Sequence, residues 1–296
     1  MIEVYKMGMS KYKDSVDKNS GLFELEIIKK ELKSIEYLKV SKNILIILNG
    51  VRDSEDEQLF EKIKNADISI FIMSDSIAIK TSLDIINACD YCLHQAIDYE
   101  FPEILCKQGY SGVPELFYKY NKKEYEKQTV GYAKIDSRVI FGGNDLNRQD
   151  KFELYHLYDS DNPFITSFKK VYGENNSIDD RIPYADYIRL LSQHRYSLMI
   201  CREEYRGNNW VTSRFFEALA VNCLPCVDVD YDRDCKLTDE IKVDNIYGLK
   251  NYIGLMNNAN NYFRVLKKYQ DRIDKRTCIF SNNIWSICRL GRLEKF

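Results

Sequence analysis

Short apolar runs separated by helix-length amphipathic segments occur twice along this chain, and that alternation restricts its fold more than any other feature. In the first half, Ile2–Met7, Ile44–Leu48, Ile68–Met73 and Tyr91–Ile97 read as strands. The segments between them, Phe23–Ile35, Glu55–Lys64 and Ser76–Cys89, carry apolar residues at helical spacing. After a polar, aromatic stretch from Glu103 to Lys127 the pattern restarts, with strands at Arg138–Phe141, Tyr196–Cys201 and Leu224–Val229. Helices are expected near Arg148–Tyr158, at Tyr184–Gln193 and Ser213–Val221, and across Tyr247–Arg272. Two β-α-β series imply an α/β chain with two Rossmann-like parallel sheets. The expected division is residues 1–133 and 134–280, with a last helix at 281–296 packing back onto the first domain.

At 296 residues each domain can bury a core of its own. No apolar run approaches the roughly 18 residues of a membrane span, so the reading is a cytoplasmic protein, a monomer with no membrane partner. Nine irregularly spaced cysteines fit a reducing compartment. Cys89-x-x-Cys92 and Cys223-x-x-Cys226 lie against apolar strands and read as buried thiols, and His94, His156 and His194 lack ligand spacing, so no metal ligands are assigned. With a net charge of −2, any nucleic-acid contact has to come from a local patch. The aromatic and basic stretch around Lys119, Tyr120, Lys122 and Lys123, read as a loop, is the candidate. The same residues also suit a solvated amphipathic helix.

The densest constellation is CREEYRGNNWVTSRFFEALAVNCLPCVDVDYD, starting at Cys201. Thr212 or Ser213 can cap a helix whose first turn carries Arg214 and Glu217 on one face. A helix start at the carboxyl edge of a parallel sheet favours phosphate. Arg214 can bind a diphosphate and the Glu217 carboxylate can accept from both hydroxyls of a ribose. A capping box with a surface Arg–Glu pair accounts for the same spacing.

In this constellation, and in order along the chain, the sequence resembles the phage DNA glucosyltransferases, the T-even type of β-glucosyltransferase. MIEVYKMGMS resembles their first strand and Met-Gly turn, with Gly8 in the turn, and NGV at 49–51 follows at similar separation. IDYEFP at 97–102 looks like their Thr-Asp-x-x-x-Pro element, FGG at 141–143 like the opening of their second domain, and VTSRFFEALAVNCLPCVDVDYD like their donor helix and following strand. The resemblance implies a GT-B architecture with both sheets facing an interdomain cleft. It implies a UDP-sugar donor, UDP-glucose first, stimulation by Mg or Mn, and transfer with inversion to the hydroxymethyl group of a modified pyrimidine in double-stranded DNA by base flipping. It makes Asp98 the catalytic base and places Gly8, Gly142 and Gly143 at the nucleotide-sugar site. The family's two arginines after Gly-Gly are replaced here by Leu146 and Asp150, leaving Arg148 and Lys151 as substitutes. Val211–Pro225 also resembles the donor helix of α-1,3-fucosyltransferases, which implies a GDP-sugar and a glycan acceptor. A non-catalytic GT-B-like binding protein is the third reading.

Overall fold

The computed structural model describes residues 1–8, 20–35, 42–50, 52–76, 78–125, 136–142, 147–159, 162, 165–166, 183–238 and 242–293. The chain divides into two compact units, Met1–Leu116 with Arg276–Phe296, and Phe117–Lys275. Each is built on a parallel sheet, so the α/β class with two Rossmann-like units is what the chain forms.

The first unit runs β1 (Ile2–Lys6), α1 (Ser20–Ser34), β2 (Ile44–Leu48), α2 (Leu59–Asn65), β3 (Ile68–Met73), α3 (Ala78–Ala88), β4 (Tyr91–His94) and β5 (Lys107–Tyr110), in the spatial order β1-β2-β3-β4-β5. ILIIL in β2 and ISIFIM in β3 are buried at every position, as a central strand covered on both faces must be. Edge strand β5, KQGY, has no apolar run to mark it in the sequence. The polar stretch after residue 103 therefore holds a fifth strand and then a helix, α4 (Val113–Tyr125), rather than a loop.

The final helix, α10 (Ile279–Leu290), belongs to the first unit. Asn283 Nδ2 donates to the Tyr110 carbonyl and the Tyr91 hydroxyl donates to the Gly291 carbonyl at 2.8 Å. Gly112, at φ 68°, lies so close that a Cβ there would stand 2.5 Å from the Phe280 amide nitrogen. Just before the helix, Arg276 Nε donates to fully buried Glu115 at 2.9 Å, and the Tyr110 hydroxyl takes the other carboxylate oxygen.

The second unit runs from the remainder of α4 through β6 (Asp136–Ile140), α5 (Gln149–Leu154), β7 (Ile165–Thr166), α6 (Tyr184–Ser192), β8 (His194–Met199), α7 (Ser213–Ala220), β9 (Leu224–Val227), α8 (Ile246–Met256) and α9 (Ala259–Asp274), with sheet order β7-β6-β8-β9. Asn245 and Asn258 cap α8 and α9, each accepting from two backbone amides of the first turn. Among the described residues no helix is long and apolar enough to cross a membrane. Cys89, Cys92, Cys223 and Cys226 are all buried, and burial pushes their thiols above the ordinary range.

Candidate functional site

The carboxyl ends of β6, β8 and β9 and the start of α7 hold most of the residues expected at the donor site. Thr212 stands at the N-cap of α7 in extended conformation, but its side chain makes no capping bond. Its amide donates to the Tyr231 hydroxyl at 3.1 Å and its own hydroxyl lies 3.3 Å from the same oxygen. Tyr231 thus occupies the group expected to cap the helix. In the first turn of α7 the Phe215 amide donates to the Thr212 carbonyl at 3.3 Å, and Arg214 is half-buried beside it.

Glu217 departs from the exposed carboxylate expected. Every residue of α7 from Phe215 to Ala220 is buried, and Glu217 is only 2% exposed. The Tyr184 hydroxyl donates to its Oε1 at 2.9 Å, and Asn121 Nδ2 donates to Tyr184 in turn at 2.9 Å. Burial raises its pKa to about 7, opposed by the Tyr184 hydrogen bond, the Arg214 charge and a hydrogen bond from Ser213. At neutral pH this carboxyl is poised between its two states.

Arg148 and Lys151 are not the solvent-facing phosphate cations that the sequence suggests. Arg148 is 4% exposed, donates to the Ile200 carbonyl at 3.2 Å and lies over the Phe141 ring at 5.6 Å, so it fastens the end of β6 to the segment after β8. Lys151 is buried against Asp228 at 2.8 Å and Asp230 at 2.7 Å. The Tyr155 hydroxyl donates to Asp228 at 2.6 Å, and the Asp230 amide donates to it at 3.0 Å. Burial pushes the Asp228 carboxyl above the usual range, while Lys151, against burial, stays above the ordinary amine value because two carboxylates flank it. Periodicity marks α5 as amphipathic but cannot reveal that its lysine points inward.

Gly142 has a different reason to be glycine. A Cβ there would stand 2.7 Å from Tyr187 Cε2, so the missing side chain makes room for a tyrosine of α6. Gly143 lies outside the described residues. Trp210, at the head of the constellation, is buried and stacked on Tyr205 at 5.1 Å and 8° between planes.

In the first unit, Gly8 closes the turn after β1 at φ 69°, and its amide donates to both oxygens of buried Asp56, at 3.4 and 3.3 Å. Asp56 also accepts from the Asp53 amide and the Tyr5 hydroxyl. Gly8 is locked by the chain itself rather than open to a phosphate. Asp98 stands exposed in the turn after β4 at φ 51°, a left-handed conformation that aspartate tolerates better than most residues. Gln108 braces the following segment through the Phe101 amide and the Phe101 and Ile104 carbonyls. Phe101 packs edge-on against Tyr99 and against buried His94, whose pKa burial lowers to about 4.

The stretch expected to form a DNA-binding loop is part of helix α4. Tyr118 is fully buried, and Lys122 is held by the Tyr118 hydroxyl at 2.9 Å and by Asp274 at 3.0 Å. Lys119 and Lys123 are exposed, and Lys119 lies 5.7 Å from the Tyr120 ring centre. Among the described residues no group of acidic, histidine or cysteine side chains is arranged to hold a metal ion.

No known family model matches this chain, and no curated protein is similar to it in sequence. Among solved structures it is similar to an apo structure of OtsA, at 10% identity over 94% of this chain and 80% of that one, with a TM-score of 0.49. It is also similar to a UDP-forming α,α-trehalose-phosphate synthase from Burkholderia xenovorans, at 7% identity over 92% and 79%, with the same TM-score. Likeness this distant carries nothing about activity.

Proposed function

We propose that the chain is a GT-B glycosyltransferase that takes a nucleotide-sugar donor, a UDP-sugar first, at the start of α7. The observation that carries this reading is the start of α7 at the carboxyl edge of a parallel sheet, where Thr212 makes no side-chain cap, with Arg214 in the first turn and Glu217 one turn on, beneath it. The helix amides and Arg214 stabilise the diphosphate, and ionised Glu217 accepts from a ribose hydroxyl.

Asp98 is the proposed base. Its carboxylate takes the proton of an acceptor hydroxyl as that oxygen bonds to the anomeric carbon, while the bond from that carbon to the diphosphate breaks and the nucleotide leaves with the electron pair. Exposure suits Asp98 to an acceptor arriving from solvent. The acceptor in this reading is a hydroxymethylated pyrimidine in double-stranded DNA. The test is incubation with DNA containing hydroxymethylcytosine or hydroxymethyluracil and a panel of UDP- and GDP-sugars, followed by nucleoside mass spectrometry. A mass gain of one sugar on either base supports it; donor turnover only on a glycan acceptor replaces the DNA acceptor with a fucosyltransferase-like one.

A further inference from the structure

Helix α9 buries one face and charges the other. Tyr262, Val265, Leu266, Tyr269 and Ile273 face inward at i, i+3, i+4, i+7 and i+11. Two residues further along, Arg264, Lys267, Lys268, Asp271 and Lys275 repeat that spacing on the outside, all exposed. With Arg272 they line an open depression of about 570 Å³, five cations and one anion. Asp271 is paired with Lys267 at 3.0 Å, and Arg272 donates to the Leu237 carbonyl. A chain of net charge −2 has here a surface of net charge +4, from five cations less one carboxylate.

The shape of this surface selects its partner. At 1.5 Å rise per residue, Arg264 to Lys275 spans about 16 Å along one line. A duplex carries about one negative charge per 1.7 Å of its axis, both strands counted, so a stretch of this length offers more phosphates than the stripe has cations. The stripe contains no apolar side chain, and half-exposed Phe263 only borders it, so nothing in it would insert into a bilayer.

We propose that the outer face of α9 docks the phosphate backbone of a nucleic-acid duplex. The surface lies outside every residue that the sequence singled out, and its binding does not depend on the donor site. Fluorescence anisotropy with a labelled unmodified DNA duplex, without any nucleotide sugar, tests it. Neutralising about four phosphates gives a slope near −3.6 for log affinity against log salt, roughly a hundredfold loss between 50 and 200 mM. The variant Arg264→Gln, Lys267→Gln, Lys268→Gln, Lys275→Gln is expected to flatten that slope to near zero and weaken binding at least tenfold at 50 mM salt, with an unchanged circular dichroism spectrum and unchanged UDP binding. A wild-type slope shallower than −1 overturns the proposal, whatever the variant does. So does binding to poly-glutamate or to anionic phosphatidylserine vesicles as tight as to the duplex.

Discussion

At the carboxyl ends of the first unit's strands, the acid that the sequence singles out, Asp98, stands in solvent; at the same ends of the second unit's strands, Asp228 and Glu217 are enclosed. Another acid there, Asp56, has its oxygens taken by two amides and a tyrosine hydroxyl and serves to close a turn. An exposed carboxylate can be reached by an arriving hydroxyl. In a dry sheet edge it needs a partner, Lys151 for Asp228 and Tyr184 for Glu217, and its protonation becomes part of the fold's stability. The same edge thus leaves its singled-out acid exposed in one unit and encloses its acids in the other.

The sharpest way to break this contrast is Asp98→Asn. As the base it is expected to cost about 10²–10⁴-fold in kcat, with UDP affinity unchanged, read from steady-state transfer and calorimetry. Retained turnover would leave Asp98 a turn residue. Lys151→Met should act on stability instead. It leaves the Asp228 charge buried without its cation, a loss of about 3–5 kcal/mol in urea unfolding. A change below about 1 kcal/mol would mean that the second unit's acids are not held as described.

Glu217 connects the two behaviours. Its folded pKa of about 7 lies above the ordinary 4.5, so the folded state holds a proton that the unfolded chain has released. Its contribution is complete below about pH 4.5 and declines as pH rises toward 7, by about 3 kcal/mol in all. Glu217→Gln is expected to remove that decline from the pH profile of unfolding. An identical profile in the variant would show that the carboxyl titrates normally. The smallest effect is expected at Gly142→Ala, where the new methyl meets Tyr187, at about 1–3 kcal/mol by thermal unfolding. Loss of nucleotide binding with stability unchanged would return Gly142 to the donor site.

What the sequence made legible was governed by pattern length. Strands β2 and β3 are unbroken apolar runs, and helix α7 has a clear apolar face, so their positions follow from periodicity alone. Edge strand β5 and the two-residue β7 carry no such run, because an edge is covered by fewer neighbours and needs fewer apolar residues. The site was legible in its residue types but not in their exposure. Arg148, Lys151 and Glu217 read as groups facing a ligand because spacing reports which residues share a face and not which face turns inward. Tyr184 and Tyr231, which hold Glu217 and Thr212, lie 33 and 19 residues from the groups they bind and leave no local signal.

The central claim is that the start of α7 receives a nucleoside diphosphate, and titration of UDP into the wild-type protein and Arg214→Ala at pH 6 and pH 8 tests it most directly. The account predicts saturable UDP binding, at least tenfold weaker in Arg214→Ala, and tighter at pH 8 than at pH 6 as Glu217 ionises. Absence of UDP and GDP binding by the wild-type protein at both pH values, or equal affinity in Arg214→Ala, would contradict it.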